Sequence, residues 1–282
     1  MADVQENGKD LVHAGSGKDA KADEDGLKKR IVRHYDMSAH QFLKVWGEHI
    51  HHGYFKSETD TAEQAQLNQV LLLAESSGVT AGSRVLDVGC GIGGTARYLA
   101  KERACKVTAI SNSRGQVELA RELTAKEAAK RDSQSSSPPS AKDNTDFVEL
   151  PSSTGTGAGA VRVLNLDIDQ MREHLADKLG EKFDCIWISE VIFHLHARQA
   201  FFDSAFALLE PGGCLVIADI CRTAPDPATA SKRTQKELAS IRRNHLCPEL
   251  GTVDEYNKMA LEVGFRPRHE PKDITKNVAK TW

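Results

Sequence analysis

The 282-residue sequence lacks the features that mark several large classes of protein. Its longest compact apolar stretch, near residues 70–74, is far too short to cross a bilayer, so we expect no transmembrane segment. A formal net charge of -3 gives no electrostatic reason to expect nucleic acid as a partner. Residues 1–24 have no apolar core of a secretory signal, and their Asp, Glu, Lys and Gly content predicts a disordered tail.

The cysteines form no C-x-x-C pair, which argues against a zinc site and against a disulfide framework. We expect them to be free, small hydrophobic residues of a protein in the reducing cytoplasm. The histidine cluster His49, His51 and His52 has no carboxylate or cysteine to complete a ligand set, so we expect no metal. The six cysteines are Cys90, Cys105, Cys185, Cys214, Cys221 and Cys247.

Alternating strands and helices follow from residue 84 onward, after helical segments within residues 25–77. Strands are predicted at 84–88, 106–110, 161–164, 183–188 and 214–220, with a possible sixth at 265–269. Helices separate them, including one at 169–179, and Pro211-Gly-Gly is predicted to be a turn. Residues 131–160, rich in Ser, Pro, Gly and Thr, are expected to be a flexible surface insertion. This order predicts an α/β, doubly wound, mostly parallel sheet covered on both faces.

A glycine-rich turn connects the first predicted strand to the next helix. Gly89, Gly91 and Gly94 satisfy G-x-G-x-x-G, a spacing that is also typical of dinucleotide sites. Asp87, two residues before the first glycine, would repel a pyrophosphate but suits a cationic ligand such as a sulfonium amino acid. Where a nicotinamide enzyme needs an acid for the ribose, the chain has Ser111-Asn-Ser. Both observations disfavour a dehydrogenase.

Several segments resemble one known family. Residues 86–94, LDVGCGIGG, are similar to the first motif of class I S-adenosylmethionine methyltransferases, which have a Rossmann-like fold. Residues 108–116, TAISNSRGQ, resemble the second-strand loop of the branch with γ-tocopherol, sarcosine/dimethylglycine, coclaurine and cyclopropane-fatty-acid methyltransferases. Residues 34–36 and 46–53 resemble the N-terminal lid of the tocopherol and dimethylglycine enzymes, so we expect residues 25–77 to form a lid.

The resemblance implies S-adenosylmethionine as cofactor and assigns roles to individual residues. Ser111 and Gln116 take the place of the usual ribose-binding acid, and Asp167, or else its neighbour Asp169, accepts from the adenine amino group. The expected cofactor-binding residues are Tyr35, Trp46, Asp87, Gly89, Gly91, Gly93, Ser111, Gln116, Asp167, Ile168 and Ser189.

Candidates for catalysis are His194, His49 and Tyr35. His194 and His196 follow the fourth strand, where the acceptor is expected, and either is a candidate general base. The alternative for both is a solvent-exposed histidine at a helix entry. Tyr35 and Trp46 are expected to pack on the methionine end of the cofactor, with plain core packing as the alternative for Trp46.

The predicted function is transfer of a methyl group to a small-molecule N, O or C acceptor by in-line displacement. The alternatives are a cofactor-binding protein with weak or no catalysis and, less favoured, an NAD-dependent oxidoreductase. Residues 273–282 resemble a point at which the family normally continues with a helix and an antiparallel edge strand. We therefore expect the sheet to lack its final edge strand, which would open the acceptor pocket or favour a homodimer.

Overall fold

The structure is a computed structural model that describes residues 17–132, 146–151, 157–223 and 228–281. Its strands are β1 (Arg84–Val88), β2 (Lys106–Ser111), β3 (Val148–Leu150), β4 (Gly159–Asn165), β5 (Phe183–Ser189) and β6 (Leu209–Ala218). Its helices are α1 (Gly17–Trp46), α2 (Ala62–Ser77), α3 (Gly94–Arg103), α4 (Arg114–Asp132), α5 (Arg198–Leu208), α6 (Lys232–Asn244), α7 (Val253–Val263) and α8 (Thr275–Val278).

One sheet organises the chain, with the strand order β3-β4-β2-β1-β5-β6. Its pairs are parallel except β3, which runs antiparallel to β4. The result confirms the predicted doubly wound α/β fold with a mostly parallel sheet. Because parallel strands end at the same edge, the segments after β1, β2, β4 and β5 meet there, which is where open α/β sheets bind ligands.

Burial on both faces explains why the central strands read as short apolar runs. Along β1, Val85 packs in one core with Val107 and Trp187, on the face covered by α2 and α3. Its neighbour Leu86 packs in the second core with Ile186, on the face covered by α5 and α7. Within the described ranges, no helix has both the length and the apolar character needed to cross a membrane.

The N-terminal segment differs from its prediction. Residues 17–24, expected to belong to a disordered tail, form the first turns of α1, whereas residues 1–16 lie outside the described part of the chain. The sequence there is rich in Ala, Lys, Asp and Glu, and several of these residue types favour a helix once α1 is nucleated by its packing on α4.

The expected insertion at 131–160 contains structure that the sequence did not predict. β3 lies within it, and the last two residues of the range begin β4. A three-residue strand is too short to show a period in the sequence, and it is fixed by pairing with β4 and by the fully buried Leu150. Residues 133–145 and 152–156 of the expected insertion lie outside the described residues.

Three other expectations are wrong in detail. The stretch 265–269 forms no strand, because Pro267 cannot donate to a ladder and Phe265 packs its ring against Phe206. Pro211-Gly-Gly lies inside β6, at an irregularity in the β5–β6 register, and not in a turn before it. The predicted helix at 169–179 consists of a 3₁₀ turn at Ile168–Gln170 and a π-helical segment at Arg172–Lys178.

Candidate active site

The turn between β1 and α3 is built on glycines with a left-handed backbone. Gly89, Gly91 and Gly93 have φ of 74°, 54° and 77°, values that side chains disfavour. The backbone N–H groups of Gly89 and Cys90 both donate to the carbonyl oxygen of Ile110, at 2.9 and 3.0 Å, which ties the turn to β2. Gly89 and Gly91 face a cavity above the turn, whereas Gly93 lies just before the start of α3 and packs near Arg97 and Ala120.

A cavity of about 230 Å³ lies at the carboxyl edge of the sheet. It is bounded by one face of α1, by the glycine turn and by the segments that follow β2, β4 and β5. Among its lining residues are nine of the residues predicted to bind the cofactor or to act in catalysis: Tyr35, Gly89, Gly91, Ser111, Gln116, Asp167, Ile168, Ser189 and His194.

Ser111 and Gln116 form one unit on the wall nearest β2. The Ser111 hydroxyl donates to Gln116 Oε1 at 3.0 Å, and both side chains are buried. The N-terminus of α4 is held by α1, because the Asp36 carboxylate accepts from Ser113 Oγ at 2.7 Å and from Gly115 N at 3.0 Å. The N-terminal helix therefore orders the loop that carries the predicted ribose contacts.

Asp167 follows β4, the neighbour of β2 in the sheet, and α1 again reaches it. Lys28 Nζ contacts both oxygens of Asp167, at 2.7 and 2.8 Å, and also bonds to Asp169. Asp167 Oδ1 accepts from the backbone N–H of Asp169 at 3.0 Å, so Asp167 caps the short turn that begins at Ile168. Both carboxylates line the cavity, and the two alternatives for the adenine contact therefore remain open.

Asp87 faces a second, smaller cavity of about 40 Å³ below the turn. It is 4% exposed, and its Oδ2 atom has no hydrogen-bond partner within the described part of the chain. Burial raises the pKa of Asp87 to about 7. The smaller cavity adjoins the larger one, because Gly89, Gly91 and Ser189 line both. A buried carboxylate oxygen without a partner among the described residues, next to such a cavity, is the arrangement expected for a group that pairs with a cation.

His49 and Trp46 lie away from the larger cavity. His49 lines the smaller cavity beside Asp87, its Nδ1 atom lacks a partner among the described residues, and burial lowers its pKa to about 3. Trp46 lines neither cavity and packs edge-on against His52 at 6.0 Å between ring centroids. The roles predicted for His49 in catalysis and for Trp46 in cofactor binding stay predictions.

Tyr35 and His194 are in direct contact across the larger cavity. Tyr35 Oη lies 3.0 Å from His194 Nε2, and His194 Nδ1 lies 3.1 Å from the carbonyl oxygen of Leu246. Because a carbonyl only accepts, Nδ1 carries the proton and Nε2 accepts from the tyrosine hydroxyl. Burial lowers the pKa of His194 to about 4 and raises that of Tyr35 to about 12. The imidazole is neutral at physiological pH, and its Nε2 lone pair, on the cavity wall, accepts from the Tyr35 hydroxyl.

Two acidic residues at this edge were not predicted from the sequence. Glu190 lines the cavity with a φ of 57° and bonds to His52 Nδ1 at 2.7 Å. Burial alone would raise the pKa of Glu190, but its contacts with His52 hold the pKa below its usual value. Asp219 accepts from Phe193 N at 2.9 Å and so holds the turn that carries His194, and burial raises its pKa to about 8. Glu190 directly follows β5 and Asp219 directly follows β6, and these positions at strand ends are the feature of the sequence that could have identified them.

Gly94 allows the segment after α1 to lie directly on the glycine turn. A Cβ at Gly94 would overlap the carbonyl oxygen of Glu48 and lie 3.1 Å from His49 Nδ1. We expect Gly94→Ala to lower the free energy of unfolding by about 1–3 kcal/mol, as overpacking does. Gly26→Ala, in α1 with only Arg30 Nη1 at 3.8 Å, is the control and should not destabilise the protein. Urea denaturation measures both, and equal stabilities would contradict the close approach.

Comparisons with known proteins identify the family of the chain. The family described as "Methyltransferase domain" matches residues 36–270. The 27-O-demethylrifamycin SV methyltransferase of Amycolatopsis mediterranei is 27% identical over 89% of this chain and 79% of its own length. The chloroplastic tocopherol O-methyltransferase of Arabidopsis thaliana is 24% identical over 92% of this chain and 68% of its own length.

A solved structure has the same fold. The geranyl diphosphate C-methyltransferase of Streptomyces coelicolor A3(2), crystallised with Mg²⁺, a substrate analogue and S-adenosyl-L-homocysteine, aligns with a TM-score of 0.63. The alignment covers 89% of this chain and 84% of that one. At 15% sequence identity it shows a similarity of fold alone. Since the family match extends over most of the sequence and includes the glycine turn, the chain belongs to the methyltransferase domain family.

Proposed function

We propose that this chain transfers a methyl group from S-adenosylmethionine to a small-molecule acceptor, using the cavity above the β1–α3 turn. The observation that carries the proposal is the Asp87 carboxylate, which is buried beside a turn of left-handed glycines and has one oxygen without a partner among the residues that the structure describes. A diphosphate would be repelled there, whereas a cationic amino acid would supply the missing partner. Membership of the methyltransferase domain family supports the same reaction.

The residues present fit each part of the proposed cofactor. Asp87 suits the ammonium of the methionine portion, and the Ser111–Gln116 unit offers hydroxyl and amide groups to the ribose hydroxyls. Asp167 and Ile168 suit the adenine, through a carboxylate for its amino group and an apolar surface for its ring. Lys28 uses both Asp167 oxygens, so the adenine amino group must share or replace that ion pair.

The bound cofactor supplies a sulfonium methyl group that is already activated for displacement. The protein then has to align donor and acceptor and exclude water, tasks that can account for much of the rate. The face of α1 with Lys28, Ile31 and Tyr35 covers the cavity, and His194 holds an unprotonated Nε2 on its inner side. An acceptor hydroxyl or amine that replaces the Tyr35 hydroxyl at this atom would pass its proton to His194.

A binding experiment tests the proposal most directly. Titration with S-adenosylmethionine in a calorimeter should show one site per chain. Gly91→Arg fills the cavity, because the Gly91 Cβ would lie 3.7 Å from Ile50 Cδ1 and 4.0 Å from Gln116 Nε2, and it should weaken binding by at least about tenfold. Gly82→Arg is the matched control, with a similar positive φ of 84° and nothing within 4 Å. Equal affinity in both variants would refute the proposed site.

The acceptor is identified by screening metabolite extracts with isotopically labelled cofactor and detecting labelled products by mass spectrometry. A labelled product supports catalysis, whereas tight binding without any product would support the alternative of a cofactor-binding protein. Titration with NADH should give no fluorescence change, and a change would favour the oxidoreductase. A cytoplasmic location, a homodimer and the absence of a nucleic-acid partner stay predictions.

A further inference from the structure

Two cysteines lie side by side on neighbouring strands, away from the proposed methyl-donor site. Cys185 on β5 and Cys214 on β6 are register partners in a parallel pair, so their side chains leave the sheet on the same face. Neighbouring strands lie about 4.8 Å apart. That spacing falls within the range of about 4.4–6.8 Å between Cα atoms that a disulfide requires. Both thiols are free and pack in the core beneath α2.

The surroundings of the pair make one of the two sulfurs the more reactive. Cys185 is 1% exposed, whereas Cys214 is partly exposed on the edge strand. Cys214 Sγ donates to the carbonyl oxygen of Ser77 at 3.2 Å, and Arg268 Nη1 donates to the same oxygen at 3.1 Å. The guanidinium is therefore held close to the Cys214 sulfur, where its charge favours the thiolate.

Cys214 differs from every other cysteine of the chain. The hydrogen bond from Cys185 and the charge of Arg268 outweigh burial and lower the pKa of Cys214 to about 7. Burial raises the pKa of the remaining thiols Cys90, Cys105, Cys221 and Cys247, and that of Cys185 is raised because it donates to Cys214 and is buried. The pair thus joins an activated thiol to a protected one, which is the arrangement of a nucleophile and a resolving cysteine.

We propose that Cys214 and Cys185 form an oxidisable dithiol, a modification site at which a hydroperoxide produces a disulfide between β5 and the edge strand β6. The Cys214 thiolate attacks a peroxide oxygen, the O–O bond breaks, and Cys214 becomes a sulfenic acid while the leaving oxygen takes up a proton as water or alcohol. The Cys185 sulfur then attacks the Cys214 sulfur. The S–S bond forms, the S–O bond breaks, and water leaves with the Cys185 proton. Two thiols are oxidised and one peroxide is reduced.

Peptide mapping after oxidation tests the proposal and needs no methyl acceptor. The intact protein is treated with hydrogen peroxide, alkylated without reduction, and digested with trypsin and an Asp-specific protease, because Asp219 separates Cys214 from Cys221. We expect a linked peptide pair containing Cys185 and Cys214 that is absent after reduction. Cys221→Ser is the matched control, since it removes another partly exposed cysteine and should leave the link intact.

Two further variants separate the roles of the sulfurs. Cys185→Ser should leave a sulfenic acid on Cys214 that a dimedone reagent labels, and Cys214→Ser should abolish both the link and the labelling. Arg268→Gln should slow the oxidation at pH 7, because loss of the guanidinium charge raises the pKa of Cys214 and leaves less of the sulfur as thiolate. The proposal would be overturned if Cys90 or Cys221 were oxidised before Cys214, or if Arg268→Gln left the rate of oxidation unchanged.

Discussion

Asp87→Asn is expected to stabilise the folded protein at neutral to alkaline pH and, at the same time, to weaken S-adenosylmethionine binding about 100-fold or more. The two effects have one cause. The carboxylate is buried, and one of its oxygens has no partner in the described ranges of the chain. Its charge therefore costs free energy in the protein alone and gains a partner when a cation binds. Leaving a buried ion without its partner costs about 3–5 kcal/mol, which is the loss expected for cofactor binding to the variant.

The pH dependence follows from the raised pKa of Asp87. Below about pH 4 the carboxyl is protonated in both the folded and the unfolded chain, so it adds no penalty. As the pH rises toward 7 the unfolded chain releases this proton while the folded chain retains it, because burial raises the folded pKa to about 7. The contribution of Asp87 to stability therefore falls through this window and is least favourable above it.

Thermal denaturation from acid to alkaline pH, together with calorimetric titration of the cofactor, measures both effects. In the wild type the cofactor should displace the proton from Asp87, so its affinity should rise as the pH approaches 7, a dependence that Asp87→Asn removes. Asp177→Asn, at an exposed position, is the control and should change neither quantity. A variant that is less stable than the wild type at alkaline pH, or that binds the cofactor equally well, would contradict the role of Asp87.

His194→Asn is expected to lower kcat about 100- to 10 000-fold, the range measured for the loss of a general base, with little change in cofactor affinity. Asparagine places an amide near the position of Nδ1 and can still donate to Leu246 O, but it has no atom at the position of Nε2. The variant therefore removes the proposed proton acceptor and retains the contact that orients it. Because the pKa of His194 is about 4, the wild-type kcat should not fall from loss of this base until the pH approaches 4.

The measurement uses the acceptor identified by labelling, with kcat and cofactor affinity determined separately. His269→Asn, at an exposed position near the C-terminus, is the control and should retain full activity. A kcat within a few-fold of the wild type for His194→Asn would show that the acceptor needs no base from this residue. A parallel loss of cofactor affinity would show instead that His194 supports the site through its packing.

A feature of the site could be predicted from the sequence where it depends on residues that are close together in the chain. The turn at Gly89 and Gly91 was found because a left-handed backbone between a strand and a helix requires glycine, and glycine spacing is visible in the sequence. Lys28 could not be found, because its ion pair with Asp167 joins residues 139 positions apart. Asp36 lies in the predicted lid motif at residues 34–36, but its bonds to the start of α4, 77 and 79 positions away, left no local signal.

The sequence by itself determined the class of fold and the location of the glycine turn at which we propose that the cofactor binds. Apolar runs such as β1 are buried on both faces only in a covered parallel sheet, and the placement of Asp87 before the glycines distinguishes a cationic ligand from a diphosphate. The tertiary structure decided what each polar group does there. It paired Tyr35 with His194, placed Cys185 beside Cys214 and, within the described part of the chain, left an oxygen of Asp87 without a partner. Partners and burial depend on contacts between distant segments, which no local pattern records.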